Sequence, residues 1–240
     1  MILAVDAGNT RIKWGFHDGK SWQERGWVAT SDADRLGDSW EGQAQPDRIV
    51  ASNVAGPDVA NQMKEICKRW AMEIQWAAAE QSQCGVRNSY ENPVQLGSDR
   101  WAALIAARSI APKGCVVVNA GTAMTVDALS AEGVFLGGLI VPGLATMRRA
   151  LAESTAAVGA AGGSFRVFPG NTADAVYSGV LSALAGSVGR MIAELSKVQS
   201  ETPICLLSGG DAKFLLPLLS GEVMMLDNLV LDGLIRIAMA

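Results

Sequence analysis

Leu3-Ala-Val-Asp-Ala-Gly-Asn-Thr-Arg-Ile-Lys13 begins in an apolar run, Ile2 to Val5, that ends on an acid and passes through Ala7-Gly8-Asn9-Thr10. Alternation then resumes as Arg11, Ile12, Lys13, Trp14, Gly15 and Phe16. The pattern predicts a strand, a tight turn and a returning strand. Such a turn suits phosphate, because Gly8 lets backbone N–H groups approach closely, Asn9 and Thr10 add side-chain donors and Lys13 adds charge. Asp6 at the mouth repels phosphate unless a Mg²⁺ ion lies between them. The same residues also suit an ordinary hairpin in which the Asp and Asn serve the turn.

The pattern recurs. Val116-Val-Val-Asn-Ala-Gly-Thr-Ala-Met-Thr-Val-Asp127 is again an apolar strand, a turn at Asn119-Ala-Gly-Thr122 and a returning strand. Two such loops roughly a hundred residues apart predict a duplicated unit. Placed face to face, they would grip the phosphates of one nucleotide from both sides.

The remaining pattern fits two such units. Ser21 to Val28 supplies a third antiparallel strand, Asp32 to Trp40 a short helix, Arg48 to Ser52 a strand, Val59 to Trp70 a helix and Glu73 to Ala77 a strand. That order is ribonuclease-H-like. Cys84 to Gly97, rich in Gly, Asn, Ser and Pro, is expected to be a loop before a helix over Asp99 to Ser109, with Ser98 as its cap. The second unit then predicts strands at Cys115 to Asn119, Thr122 to Leu129 and Val134 to Ile140. A helix from Pro142-Gly143 to Ala152, a flexible stretch from Ala156 to Gly163 and a long helix from Ala173 to Leu195 follow. A strand at Ile204 to Leu207, a helix, a strand at Val223 to Leu226 and a closing helix end the chain. Ser208-Gly-Gly-Asp211 suits a base or ribose packed on bare backbone, and equally a plain strand-to-helix turn. No G-x-G-x-x-G or Walker A motif follows any strand.

With 240 residues, 49% of them hydrophobic, the chain can bury a large core. A net charge of −4 gives no sign of nucleic-acid or anionic-membrane binding. Cys67, Cys84, Cys115 and Cys205 form no C-x-x-C pair and His17 is the only histidine, which argues against zinc and Ser-His-Asp chemistry and for free thiols in a reducing compartment. His17, beside Asp18-Gly19, reads as part of a turn. The apolar start breaks at Asp6, so no signal peptide is expected. The longest later apolar stretch, Val134 to Met147, contains three glycines and a proline and is too short to span a bilayer. A cytoplasmic protein is expected.

Between the two hairpins lies Asn88-Ser-Tyr-Glu-Asn-Pro-Val-Gln-Leu-Gly-Ser-Asp-Arg-Trp101. Asp99-Arg100 at a helix N-terminus puts a carboxylate in the field of backbone dipoles with a guanidinium beside it. The carboxylate could orient and deprotonate an alcohol, and the guanidinium could hold a substrate carboxylate. The plain alternative is that Asp99 merely favours the helix dipole and Arg100 is solvated.

Asp6-Ala-Gly-Asn-Thr10, Asn92-Pro with Gly97-Ser-Asp-Arg100, Gly121-Thr-Ala-Met-Thr-Val-Asp127, Gly137-Gly-Leu-Ile-Val-Pro-Gly143 and Asn171-Thr-Ala-Asp-Ala-Val-Tyr-Ser-Gly179 together resemble type III pantothenate kinase, in order and over almost the whole chain. The resemblance implies an α/β fold of two ribonuclease-H-like halves, of the actin and sugar-kinase type, around a nucleotide cleft. The halves would be residues 1–112, with the phosphate and substrate loops, and 113–240, with the second phosphate loop and a dimer interface. It implies ATP-dependent phosphorylation of pantothenate, the first step towards coenzyme A, by a homodimer using Mg²⁺ and a monovalent cation. By resemblance, Asp6, Ala7, Gly8, Asn9, Thr10, Arg11, Ile12 and Lys13 form the first phosphate loop, and Thr122 is the nucleotide contact of the second. Asp99 resembles the general base. Tyr90, Gly97, Ser98, Asp99 and Arg100 resemble the pantothenate contacts, as does Thr172, supplied across the dimer interface.

One position departs from the family. Asn119 stands where its members usually have an Asp associated with a potassium or ammonium ion, so the oxygen ligand remains and the charge is lost. Activation by potassium is therefore expected to be weak or to need high concentrations. Two other functions compete: a regulatory accessory factor of the same family, and a kinase or phosphatase of the same fold acting on another small hydroxy-acid. Intact Asp6, Asp99, Arg100 and Thr172 argue against the first, and Arg100 with Tyr90 favours an acidic, partly apolar substrate.

Overall fold

A computed structural model describes residues 1–155, 159 and 162–240. Of the expected flexible stretch Ala156 to Gly163, residues 156–158, 160 and 161 lie outside the described residues. In chain order the elements are β1 (Ile2–Ala7), β2 (Arg11–His17), β3 (Trp22–Ala29), β4 (Arg48–Asn53), α1 (Pro57–Cys67), β5 (Ile74–Trp76), β6 (Ser82–Gln83), β7 (Val86–Asn88) and α2 (Ser98–Ile110). They continue as β8 (Cys115–Ala120), β9 (Ala123–Leu129), β10 (Val134–Pro142), α3 (Leu144–Ser154), α4 (Thr172–Val198), β11 (Ile204–Ser208), α5 (Ala212–Leu215), β12 (Val223–Met225) and α6 (Leu229–Met239). The short helix expected after β3 is a 3-10 helix, Thr30–Trp40, kinked at Asp32.

The chain divides into two compact units. The first comprises Met1–Ile110, Gly133–Phe135 and Asn228–Ala240, and the second Ala111–Glu132 and Leu136–Asp227. In the first, the sheet runs β3-β2-β1-β4-β5, with β1 antiparallel to β2 and parallel to β4. Alternation along β2 sends Ile12, Trp14 and Phe16 into a core with Leu3, Val5, Leu36, Ile49 and Met63, which leaves Arg11 and Lys13 on the opposite face. Helices α2 and α6 pack closely: a Cβ on Gly233 would lie 1.8 Å from the Ala102 carbonyl oxygen. Trp22 Nε1 donates to Asp232 Oδ1 at 2.9 Å, tying α6 to β3.

The expected loop from Cys84 to Gly97 is only partly a loop. Cys84 and Gly85 both take positive φ, 49° and 77°, the geometry of a two-residue hairpin turn, and β6 pairs with β7 across it. β7 also pairs in parallel with the first residues of β10, Asn88 opposite Phe135. Strands this short, with a partner far along the chain, leave no periodic trace in the sequence.

In the second unit β9, β8, β11 and β12 are neighbours in that order, β8 antiparallel to β9 and parallel to β11. With β10 beside β9, the unit repeats the strand order of the first. Gly209, at φ 104°, brings its backbone against β8, where a Cβ would lie 2.2 Å from the Ala120 carbonyl oxygen. Helix α4 starts at Asn171, whose side chain accepts from the Asp174 N–H at 2.9 Å. It buries Ser178, Val180, Leu181, Leu184, Val188 and Leu195, the apolar ones in a core with Val116, Val118, Met124 and Val126. At 27 residues, with a window of mean hydropathy 1.3 of which 28% is buried, α4 is by length and composition alone apolar enough to cross a membrane, a feature the sequence reading did not single out.

Because no side chain fits between α2 and α6, Gly233→Ala should lower the stability of the protein by about 1–3 kcal/mol. The check is the urea midpoint, which should fall at an unchanged m-value.

Candidate active site

The first hairpin places its residues in two classes. Ala7 and Ile12 are fully buried core side chains, so only their backbone can meet a ligand. Asn9, Thr10 and Arg11 are exposed at the turn. The turn closes by the Gly8 N–H donating to the Arg11 carbonyl at 3.1 Å. Thr30 then fixes it from outside, its Oγ1 donating to the Gly8 carbonyl at 2.7 Å and its N–H to the Thr10 carbonyl at 3.1 Å. The Arg11 guanidinium lies 4.5 Å over the Trp27 ring.

Asp6 stands opposite Lys13 in the ladder. Burial raises its pKa from the ordinary carboxylate value to about 7, the negative charge of Asp99 adds to the rise, and Lys13 opposes it. A partly buried carboxylate influenced by a second one, with one lysine in opposition, is a place where a cation is favourable. That environment fits Mg²⁺ held by one protein carboxylate and by substrate phosphates. Among the described residues no group of three or more His, Cys, Asp or Glu could cage a metal unaided.

Asp99 lies in the first turn of α2. Its Oδ1 accepts from the Arg100 N–H at 2.8 Å. Burial raises its pKa, against the lowering effects of that N–H and of the Arg100 charge. Gly97 lies close beside it: a Cβ there would stand 2.6 Å from Asp99 Oδ1, so a side chain at 97 would push the carboxylate aside. Ser98 begins α2, and its hydroxyl pairs at 2.9 Å with that of buried Ser52 at the end of β4.

Arg100 is 6% exposed, so it is not the solvated arginine of the plain alternative. Its Nη1 donates to the Tyr90 hydroxyl at 3.4 Å, and its guanidinium lies 5.8 Å from the centre of the Phe135 ring. Phe135 is fully buried, and its ring is 5.1 Å from that of Tyr90. The first unit thus gathers Asp6, Tyr90, Gly97, Ser98, Asp99 and Arg100. Ser52, Asn88 and Phe135 join them without having been foreseen, as does Trp27 beside Arg11 at the hairpin. A fully buried aromatic opposite the Asn88 position was the missing signal, and only strand pairing reveals it.

Asn119, Thr122 and Thr172 belong to the second unit. Asn119 pairs in register with Thr125 and Ser208. The Thr122 carbonyl accepts from the Gly143 N–H and from Thr146 Oγ1, both at 2.9 Å. Gly143 is required there, because a Cβ would meet the Gly121 carbonyl oxygen at 1.9 Å. Thr172 is exposed at the first position of α4. Among the described residues the four cysteines form no disulfide, and burial lifts the Cys67 and Cys205 thiols to about 11 and about 12, marks of inert core thiols. His17 Nδ1 accepts from the Gly19 N–H at 3.0 Å within its turn.

The profile of the type III pantothenate kinase family matches residues 2–194. A Nitrosospira multiformis protein named type III pantothenate kinase is 51% identical over 99% of this chain and 91% of its own length. An Aromatoleum aromaticum protein of the same name is 46% identical over 99% of this chain and 98% of its own. Among solved structures, a Campylobacter jejuni protein proposed to be a Baf family transcriptional activator superposes with a TM-score of 0.65 at 21% identity, over 99% of this chain and 97% of that one. A Sinorhizobium meliloti protein proposed to be a 2-dehydro-3-deoxygalactonokinase superposes with 0.60 at 14%, over 99% and 98%. At such identities these two show the fold alone, which is that of the actin and sugar-kinase type. With the profile and two full-length relatives in agreement, the chain belongs to the type III pantothenate kinase family.

Proposed function

We infer that the chain carries out the ATP-dependent phosphorylation of pantothenate to 4′-phosphopantothenate, the first step of coenzyme A biosynthesis, with Asp99 as the general base. The carrying observation is the convergence, in one unit, of two partly buried carboxylates with raised pKa, Asp6 and Asp99, with buried Arg100 and its partner Tyr90. Phosphoryl transfer passes through a loose transition state, so the protein mainly aligns reactants and neutralises charge. Asp99 accepts the proton of the pantothenate hydroxyl late in that step. Its raised pKa makes it a better proton acceptor than an exposed carboxylate. Arg100 pairs with the pantothenate carboxylate, and Tyr90 holds the guanidinium from one side.

Asp6 would hold Mg²⁺, which would supply neutralisation of phosphate charge when bound with ATP. The turn from Gly8 to Lys13 offers backbone N–H groups and the Lys13 and Arg11 charges to the phosphates, and Thr122 offers a nucleotide contact in the second unit. Asn119 would hold a monovalent cation weakly, as an oxygen ligand without charge. The division of labour proposed for residues 1–112 and 113–240 follows these assignments. The protein works in the cytoplasm, apart from nucleic acid and membranes, and as a homodimer in which Thr172 reaches the neighbouring subunit's pantothenate. Supporting a dimer, Gly179, Gly186 and Gly189 line the outer side of α4, where an added Cβ would meet nothing, and Phe168, Val167 and Ile140 are 91%, 75% and 64% exposed. Likeness in fold to an activator protein gives the regulatory reading no separate support.

ADP release measured with ATP and Mg²⁺, with and without pantothenate and potassium, tests the reaction. Release should require pantothenate, respond only slightly to potassium, and fall about 10²–10⁴-fold in Asp99→Asn. Pantothenate-independent release would mean a hydrolase or another acceptor. Asp6 yields a second test, through pH. Its pKa is about 3.9 in the unfolded chain and about 7 folded, so stability present below pH 4 is lost as pH rises through 7. Asp6→Asn should therefore be the more stable protein at pH 8 without ligands, by up to about 3–4 kcal/mol, yet be inactive. Equal denaturation midpoints at pH 8 would refute the burial argument. Gly186→Arg, with open space for its side chain, should leave a folded subunit that elutes as a monomer, whereas the unaltered protein elutes as a dimer.

A further inference from the structure

We propose that Asn88 is a positioning residue for this reaction, a buried amide that sets the 89–97 loop so that Tyr90 meets Arg100 at the substrate carboxylate. The proposal rests on the pantothenate kinase function inferred above. Asn88 is 1% exposed and cannot itself reach substrate, yet every polar group it carries is engaged. Its Oδ1 accepts from the Tyr90 N–H at 3.0 Å, fixing the start of the loop in an Asx turn. Its Nδ2 donates to the Pro93 carbonyl at 3.1 Å, fixing the loop further along. Its own N–H donates to the Gln81 carbonyl at 3.0 Å, and its carbonyl accepts from Gln81 Nε2 at 3.1 Å. On the far strand it faces Phe135, whose carbonyl accepts from Ser89 Oγ and whose ring backs Tyr90.

Only a side chain with both an acceptor and a donor in this geometry closes the loop at two points. Asp keeps the acceptor for Tyr90 but, when ionised, turns an oxygen on the Pro93 carbonyl. When protonated, it restores a donor. Ala removes both anchors and leaves a buried N–H and a buried carbonyl unpaired.

The test is steady-state kinetics of Asn88→Asp and Asn88→Ala beside wild type across pH 5.5–8.5 (about the range in which a buried carboxyl titrates), with amide hydrogen exchange over residues 89–97. In Asn88→Asp the pantothenate KM should rise about tenfold at high pH, with the ATP KM and kcat within about twofold of wild type. The ratio of its pantothenate KM to that of wild type should shrink towards one as pH falls and the introduced carboxylate gains its proton. Exchange at Tyr90 should accelerate about tenfold or more in Asn88→Ala. A pantothenate KM unchanged at every pH, or a rise shared equally by ATP, overturns the proposal while leaving the function intact. If Asn88→Ala does not fold, the pH-dependent ratio in Asn88→Asp decides. A wild-type protein without pantothenate-dependent ADP release overturns the function and the positioning role together.

Discussion

The partial burial of Asp6 near the end of β1 is the constraint on which the first unit turns. β1 lies in mid-sheet between β2 and β4, so its last residues have strands on both sides and cannot be solvated as an exposed loop would be. A carboxylate there is costly unless neutralised or paired. The chain supplies only partial relief, from Lys13 across the ladder, and adds to the difficulty by bringing in Asp99. That arrangement leaves the Asp6 carboxylate short of compensating positive charge, the electrostatic setting in which a cation is favourable.

Two halves of one design have diverged around that constraint. Both units set an antiparallel neighbour on one side of their first strand and two successive parallel strands on the other. The turns differ by one residue: Gly8 N–H reaches the carbonyl of Arg11, whereas Gly121 N–H reaches that of Ala123. The acid of the first hairpin is an amide in the second, Asn119. The charge at the strand end is therefore lost in the second unit, which keeps a buried acid of its own, Asp127 in β9.

Much of the fold was legible because its elements are long and periodic. β1 and β2 announce themselves by an apolar run and by strict alternation, and α2 and α4 by length without Gly-Pro breaks near their starts. Asp99 and Arg100 were legible as a charged pair at a helix start. β6 and β7 were not, since two- and three-residue strands are held by a positive-φ turn and by partners elsewhere in the chain rather than by a repeating pattern. The burial of Arg100 was equally hidden, because a guanidinium stays inside only when distant groups, here Tyr90 and Phe135, surround it.

Local sequence was enough to mark the candidate residues for chemistry, namely Asp6 after an apolar strand, the Gly8 turn, and Asp99-Arg100 ahead of a helix, because composition and spacing along a short stretch encode turns, caps and charge. How those residues behave depends on the folded chain. Desolvation gives Asp6 its pKa near 7, the meeting of β7 with β10 sets Asn88 and Phe135 beside Tyr90, and the Asp99 carboxylate owes its place to the missing side chain of Gly97, whose Cβ would stand 2.6 Å from its oxygen. Each of these is a property of distance through space between groups or of access to water, and neither quantity is written in the local order of residues.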